Sequence, residues 1–267
     1  METGQLSPVG KERKAIYRHV NAYFEKHRDC PPTTVDFYRI GKILGKGAFG
    51  KVNLAMHRLS EKLVAIKSIN KHYLSQESQK KKVMTEVYIL KKIKHPSVIR
   101  LFETFETKKH ILFVLELCSG GDLLNYVRKR RRLKEDVAKF MFKQIIEGLQ
   151  HIHSKNIVHR DIKLDNILLD SKGNVKIGDF GVSKLCRPGE TMLEQCGTPA
   201  YIAPEILLDK GYRGVSVDVW SAGVVLFSML YGTVPFKGAS MSELHQLIIG
   251  GKYTLKDDVS PESRSLL

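Results

Sequence analysis

The hydrophobic pattern of this 267-residue chain changes period twice. Residues 14–27 carry Ile16, Val20, Tyr23 and Phe24 at helical spacing. Cys30-Pro31-Pro32 closes that stretch, because proline cannot continue a helix and holds its predecessor extended. Residues 1–35 therefore read as an extension, either a short helix docked elsewhere on the protein or a disordered tail. Between residues 38 and 67 the period falls to about two, with Ile40, Ile43, Val52, Leu54, Val64 and Ile66 marking strands around a glycine turn. Residues 76–94 return to a helical period, and 100–106 and 111–117 read as two further strands. After Gly120-Gly121 the texture is helical, over 123–130, 134–154, 215–231 and 241–249, with short strands at 167–169 and 175–177. The expected fold is α+β and bilobal. A strand-rich lobe with one helix (38–117) is joined by residues 118–121 to a helix-rich lobe from 122 onwards.

Composition narrows the setting. Hydrophobic residues at 42% and charged residues at 27% suit a soluble protein with a true core. The longest strongly apolar run, residues 222–230, is too short to span a bilayer, and residues 1–14 have no apolar stretch of a secretory signal. The expectation is an intracellular protein, cytoplasmic, nuclear or both. Four cysteines without metal-ligand spacing read as free thiols. The net charge of +16 is concentrated in residues 80–82, 91–94 and 128–132. These runs read as solvated faces, as contacts for an acidic partner or surface or, for 128–132, as a nuclear-import signal. No aromatic platform accompanies them, so specific nucleic-acid recognition is not expected.

Five motifs carry chemistry. Gly45-Lys46-Gly47-Ala48-Phe49-Gly50, with Leu44 before it and Val52 after it, supplies a bare, tightly turning backbone whose N–H groups suit phosphate. Dinucleotide-binding folds share this glycine spacing, but there a helix follows, whereas here a strand does. Val64-Ala65-Ile66-Lys67 places a lysine 17 residues after Gly50, as a partner for the α- and β-phosphates of a nucleotide. Glu86 borders the apolar stripe of the 76–94 helix, where an unpaired carboxylate would be costly. Pairing it with Lys67 removes that cost. In His159-Arg160-Asp161-Ile162-Lys163-Leu164-Asp165-Asn166, Asp161 suits the removal of a hydroxyl proton, Lys163 the neutralisation of a transferred phosphoryl group, and Asn166 magnesium ligation. Asp179-Phe180-Gly181 adds the second oxygen ligand, Asp179, for that hard cation. These roles match the general pattern of phosphoryl-transfer enzymes; the spacing alone does not dictate them.

With these residues in place, residues 38–267 resemble the eukaryotic Ser/Thr protein kinases, and within them the calcium/calmodulin-dependent and AMP-activated group. Lys163 and Thr198, the latter in C-G-T-P-A-Y-I-A-P-E, carry the Ser/Thr side of that resemblance. The resemblance implies ATP with Mg2+ (Mn2+ able to substitute), protein substrates and an adenine-binding hinge at Glu116 to Cys118 behind the gatekeeper Leu115. It implies that Val52, Ala65 and Leu168 sandwich the adenine ring. It also implies a spine of Leu90, Leu101, His159 and Phe180 anchored by Asp218. Asp122 and Asp165 fall where relatives hold an arginine about three residues before the target hydroxyl, and Asp122 also falls near the ribose. The implied substrates thus carry basic residues upstream of Ser or Thr. A regulatory partner fits the family but has no sequence mark here.

Two departures stand out. Glu194 occupies the place where relatives carry a phosphorylatable threonine. A carboxylate supplies one negative charge against about 1.5 to 2 for a phosphate. Paired with Arg160, Lys184 and Lys82, it is expected to order the activation segment without an upstream kinase, leaving Thr191 and Thr198 as lesser modification sites. Second, relatives continue past the equivalent of Leu267 to an arginine that pairs with the counterpart of Glu205. The chain therefore reads as a fragment with an incomplete second lobe. The competing function is a non-catalytic kinase-fold scaffold or inactive fragment. The complete set Lys67, Glu86, Asp161, Asn166 and Asp179 speaks against it, and the early end speaks for it.

Overall fold

The computed structural model describes residues 7–28, 31–47, 50–187, 189–255 and 259–267; Cys30, Ala48 and Phe49 lie outside them. The chain divides into two compact units, residues 1–77 with 101–117, and residues 78–100 with 118–267.

The first unit opens with α1 (Pro8–His27), whose start is set by Ser7 and Pro8. The Ser7 hydroxyl accepts the Gly10 N–H at 3.1 Å, and proline fits the first helical position, where no N–H partner exists. Val9, Glu12, Arg13, Ile16, Val20 and Tyr23 form a half-buried stripe, and no residue of the helix is fully buried. Arg13 pairs with Glu61 at 3.1 Å.

Five antiparallel strands follow: β1 (Tyr38–Gly47), β2 (Gly50–His57), β3 (Leu63–Asn70), β4 (Leu101–Glu106) and β5 (His110–Glu116), ordered β1-β2-β3-β5-β4. Alternation divides their side chains between two faces. Tyr38, Ala55, Val64, Ile66, Leu112 and Val114 form a core on one face, covered by Val35, Phe37 and Phe105. The pairs Val52–Lys67, Ala65–Leu115 and Lys67–Phe113 place the candidate nucleotide residues together on the other.

Gly50 is dictated by packing. A Cβ there would lie 1.7 Å from the Ser68 carbonyl oxygen on β3. Gly50→Ala is expected to destabilise the chain by about 3 kcal/mol, read as a lower urea midpoint, because the β2–β3 ladder must part to admit the methyl group.

In the second unit α2 (Glu77–Lys92) buries Val83, Glu86, Val87, Ile89 and Leu90. The backbone after it is tied in by Ile177 N–H to Ser97 O (2.8 Å) and Ile99 N–H to Ile177 O (2.9 Å). Then come β6 (Gly121–Asp122), α3 (Leu123–Arg130), α4 (Glu135–Ser154), β7 (Ile157–Val158), β8 (Ile167–Leu169), β9 (Val175–Ile177), β10 (Lys184–Leu185) and β11 (Thr191–Met192). The series ends with α5 (Pro204–Leu207), β12 (Tyr212–Arg213), α6 (Ser216–Tyr231), α7 (Met241–Gly250) and α8 (Pro261–Leu266). Helix α6 is apolar nearly all round and buries most of its residues, as a central helix must. Three small sheets, β6-β8-β9, β7-β10 and β11-β12, brace the loops between the helices. Sheet plus helices gives the α+β class the pattern predicts. No helix among the described residues is long and apolar enough to cross a membrane.

Candidate active site

Asp161 lies at the centre of the loop between β7 and β8. One carboxylate oxygen accepts the Thr198 hydroxyl at 2.7 Å. The other accepts Lys163 Nζ at 3.0 Å and Asn166 Nδ2 at 2.8 Å. Lys163 Nζ also donates to the Thr198 oxygen at 2.7 Å, closing a triangle. Burial alone pushes the Asp161 carboxyl upward, but the hydrogen bonds from Thr198, Lys163 and Asn166 with the Lys163 charge outweigh it and hold it below the usual aspartate value. The group is an ionised acceptor at neutral pH, as a base for a hydroxyl proton must be.

The loop is fixed from beneath by Asp218, which is fully buried near the start of α6. Its oxygens accept the backbone N–H groups of His159 and Arg160, each at 2.8 Å, and lie 2.8 Å from His153 Nε2. His159 Nε2 donates to the Gly178 carbonyl at 2.9 Å, since a carbonyl only accepts. That leaves Nδ1 to accept the Asp161 N–H at 3.3 Å. The His159 ring meets Phe180 edge-on at 4.9 Å. Arg160 and Asp179 both have positive φ, 68° and 55°, a conformation L residues adopt at a cost of about 1–3 kcal/mol unless their surroundings impose it.

Arg160 links the loop to the activation segment. Its Nε donates to Val182 O at 2.7 Å, and one terminal nitrogen reaches Glu194 Oε2 at 3.2 Å. Glu194 Oε1 accepts Lys82 Nζ from α2 at 3.1 Å. The Tyr212 hydroxyl donates to the Glu194 carbonyl at 2.9 Å and lies 3.4 Å from Arg160. Of the three cations expected around Glu194, Arg160 and Lys82 are present. Lys184 instead pairs with Glu190 at 2.8 Å, the carboxylate that follows it across the β10–β11 turn. Thr198, expected as a modification site, has its hydroxyl committed to Asp161 and Lys163. Thr191 is exposed on β11, its hydroxyl accepting Arg213 Nε at 3.3 Å.

Asn166 commits both amide hydrogens to Asp161, to its main-chain oxygen and its carboxylate, each at 2.8 Å. Its amide oxygen is the group left to bind a cation. The Asp179 carboxylate is the other expected ligand, and both are oxygen donors of the kind a hard divalent ion such as Mg2+ prefers. Glu86 is buried on α2, and Lys67 Nζ lies 5.8 Å above the Phe113 ring. In the β1–β2 hairpin a Cβ on Gly45 or Gly47 would meet nothing within 4 Å, so packing does not demand those glycines. Leu44 and Lys46 are exposed beside them. Ala65 and Leu115 are buried, whereas Val52, Glu116, Cys118 and Leu168 are half-buried. Leu90, His159 and Phe180 are buried and Leu101 is half-buried.

Asp122 caps α3, accepting Asn125 N at 2.7 Å and Asn125 Nδ2 at 2.8 Å, while Asp165 is exposed. Glu205 accepts the Ser216 hydroxyl at 3.3 Å and is half-exposed. Sequence reasoning missed His153 and Tyr212. Neither belongs to a local motif, and each meets its partner only through the fold.

The His159–Asn166 loop, the Asp179-Phe180-Gly181 triplet and the glycine hairpin are motifs that the protein kinases carry. A family model described as the protein kinase domain matches residues 38–267, and the chain belongs to that family. It is 43% identical over 230 residues to the serine/threonine protein kinase OSK3 of Oryza sativa subsp. indica, covering 86% of this chain and 45% of the rice protein. Serine/threonine protein kinase OSK4 of Oryza sativa subsp. japonica is similar to the same extent, 43% over 230 residues and again 86% and 45%. The chain thus spans less than half the length of these curated relatives.

Proposed function

We propose that the chain transfers the terminal phosphoryl group of ATP to Ser or Thr hydroxyls of proteins, preferring substrates with a basic residue upstream of the target. The observation that carries this reading is the triangle of Asp161, Lys163 and Thr198, with Asn166 completing the shell of the carboxylate. Asp161 accepts the hydroxyl proton, Lys163 offsets charge on the transferred group, and Thr198 holds the two in register. Lys67 and the bare backbone of Gly45 and Gly47 are assigned to the phosphates. Leu44, Val52, Ala65, Glu116, Cys118 and Leu168 are assigned to the nucleoside. Asn166 and Asp179 would hold Mg2+, which when bound supplies charge neutralisation on the phosphates. The exposed carboxylate of Asp165 is the stronger candidate for a substrate arginine, because Asn125 already engages both oxygens of Asp122. The test is an ATP/Mg2+ phosphorylation assay on a peptide library with arginine moved through each upstream position. A flat profile would overturn the basic preference, and no transfer to any peptide would leave the scaffold reading standing.

We further infer that Glu194 replaces activation-segment phosphorylation. Supporting this, it bridges Arg160 of the catalytic loop and Lys82 of α2. Glu194→Ala is expected to lower kcat/KM about tenfold, from losing two charge-assisted hydrogen bonds, and phosphatase treatment is expected to leave activity unchanged. Loss of activity on phosphatase treatment would refute this role. The Glu194 carboxyl is held below the usual glutamate value, first by the Lys82 hydrogen bond, against burial, and then by Arg160. With its folded pKa depressed, the bridge is fully in place above the unfolded value of about 4.3 and is lost as pH falls through the folded value. Activity that survives neutral pH but fails on the acid side of that range, with the acid limb altered in Glu194→Gln, is the expected profile.

A further inference from the structure

Helix α3 carries opposite charge at its two ends. Its start is capped by Asp122, and the exposed Asp165 lies on the turn 164–166, which packs against α3. Its end runs into Arg128, Lys129, Arg130, Arg131 and Arg132, all exposed. Among the described residues, Arg128, Lys129, Arg130 and Arg131 have no carboxylate within ion-pair distance. Arg130 is held in place, its guanidinium 3.7 Å from the centre of the Tyr126 ring and donating to the Tyr126 carbonyl at 3.4 Å.

The bland account is that cations gather where helices end. Two ends do meet here: α3 stops at Arg130, and α6 stops at Gly232, where a Cβ would lie 1.9 Å from Arg131 O. Each end offers about half a unit of negative charge, about one in all. Four adjacent cations, Arg128 to Arg131, far exceed that, and among the described residues no carboxylate offsets them.

We propose that α3 is a docking strip for protein substrates, on which an acidic segment of the substrate seats on the Arg128–Arg131 cluster while a basic residue engages Asp165 and Asp122. This rests on the basic preference proposed above and adds a second requirement to it. Eight residues at about 1.5 Å each make α3 about 12 Å long. An extended peptide covers that in about four residues at ~3.3 Å each. The substrate class is therefore bipartite, with a basic residue upstream of the phosphoacceptor and a cluster of Glu, Asp or phosphoserine about four residues further on the amino-terminal side. The predominance of arginine suits the bidentate capture of such groups. A nucleic acid fits less well, since its phosphates would be repelled by the two aspartates and the Tyr126 ring is already covered by Arg130.

Three peptides test this: one with the basic residue alone, one with four glutamates about four residues before it, and one with four glutamines in their place. The glutamate peptide is expected to show about tenfold lower KM than the glutamine peptide at unchanged kcat, as several exposed ion pairs acting together would give. The advantage is expected to fade at high salt and to vanish in Arg128→Ser/Lys129→Ser, which leaves the Arg130–Tyr126 stack and the Arg131 turn untouched. Equal activity of this double variant on the short basic peptide verifies an intact fold. Anisotropy of the labelled peptides reads docking directly, so it stands apart from turnover and from the basic preference. A glutamate peptide that binds without regard to its arginine would refute the basic preference alone. Equal binding of the glutamate and glutamine peptides overturns the docking strip, as does duplex DNA outcompeting the glutamate peptide at matched charge.

Discussion

Asp161→Asn is expected to reduce kcat by about 10²–10⁴-fold, the usual range for loss of a positioned general base, with little change in KM for ATP. The substitution keeps the side-chain shape and removes the negative charge. It also turns an acceptor-only group into one bearing an NH2, which must then face the donors Lys163 Nζ (3.0 Å) and Asn166 Nδ2 (2.8 Å) or the Thr198 hydroxyl (2.7 Å). Steady-state kinetics on a basic peptide measure the loss, and circular dichroism shows whether the fold is retained. Lys163→Ala, which spares the carboxylate, is expected to fall less far. A variant at Asp161 within a few-fold of the parent would remove the proposed base and favour the scaffold reading.

Asp218→Ala is expected to cost about 3–5 kcal/mol, as expected for breaking a buried charged network. Asp218 is fully buried and satisfies three donors at once, the His159 and Arg160 N–H groups and His153. Removing it strands the His159 and Arg160 N–H groups away from water and deprives the half-buried His153 ring of its partner. At roughly 2–4 °C per kcal/mol for a chain of this size, the melting temperature should fall by about 10 °C. Activity should disappear well below that temperature, since the positive φ of Arg160 is imposed in part by its N–H bond to Asp218. A variant that melted like the parent would show that His153 and the loop hold themselves. Asp218→Asn, which keeps the volume and one good acceptor, is expected to lie between the two.

Much of this was legible in the chain because the chemistry is local. Asp161, Lys163 and Asn166 fall within six residues, so their proximity follows from any compact loop. The strands around Gly50 show in the period of two, and the helices of the second unit in the period of 3.6. The start of α1 was readable from Ser7-Pro8, a cap followed by a helix-opening proline, but the apolar period alone places it six residues late. What was not legible depends on which side chains the fold brings together. Thr198 is 37 residues from Asp161, and Tyr212 is 18 from Glu194, with no spacing rule to join them. Lys184 had two carboxylates within the ten residues that follow it, and the β10–β11 turn chose Glu190. Asp122 illustrates a different limit. Its carboxylate looked available for substrate, yet an aspartate preceding a helix is in demand as a cap, and Asn125 takes both oxygens.

The bridge at Glu194 has a temporal meaning. A phosphate is added and removed within a signal's lifetime, whereas a carboxylate encoded in the gene persists as long as the polypeptide. On the role proposed for Glu194, a chain that keeps Arg160 and Lys82 joined in this way holds no erasable record of having been switched on. On that reading, restraint comes from something that competes for those cations, masks the proposed substrate strip or shortens the life of the protein itself.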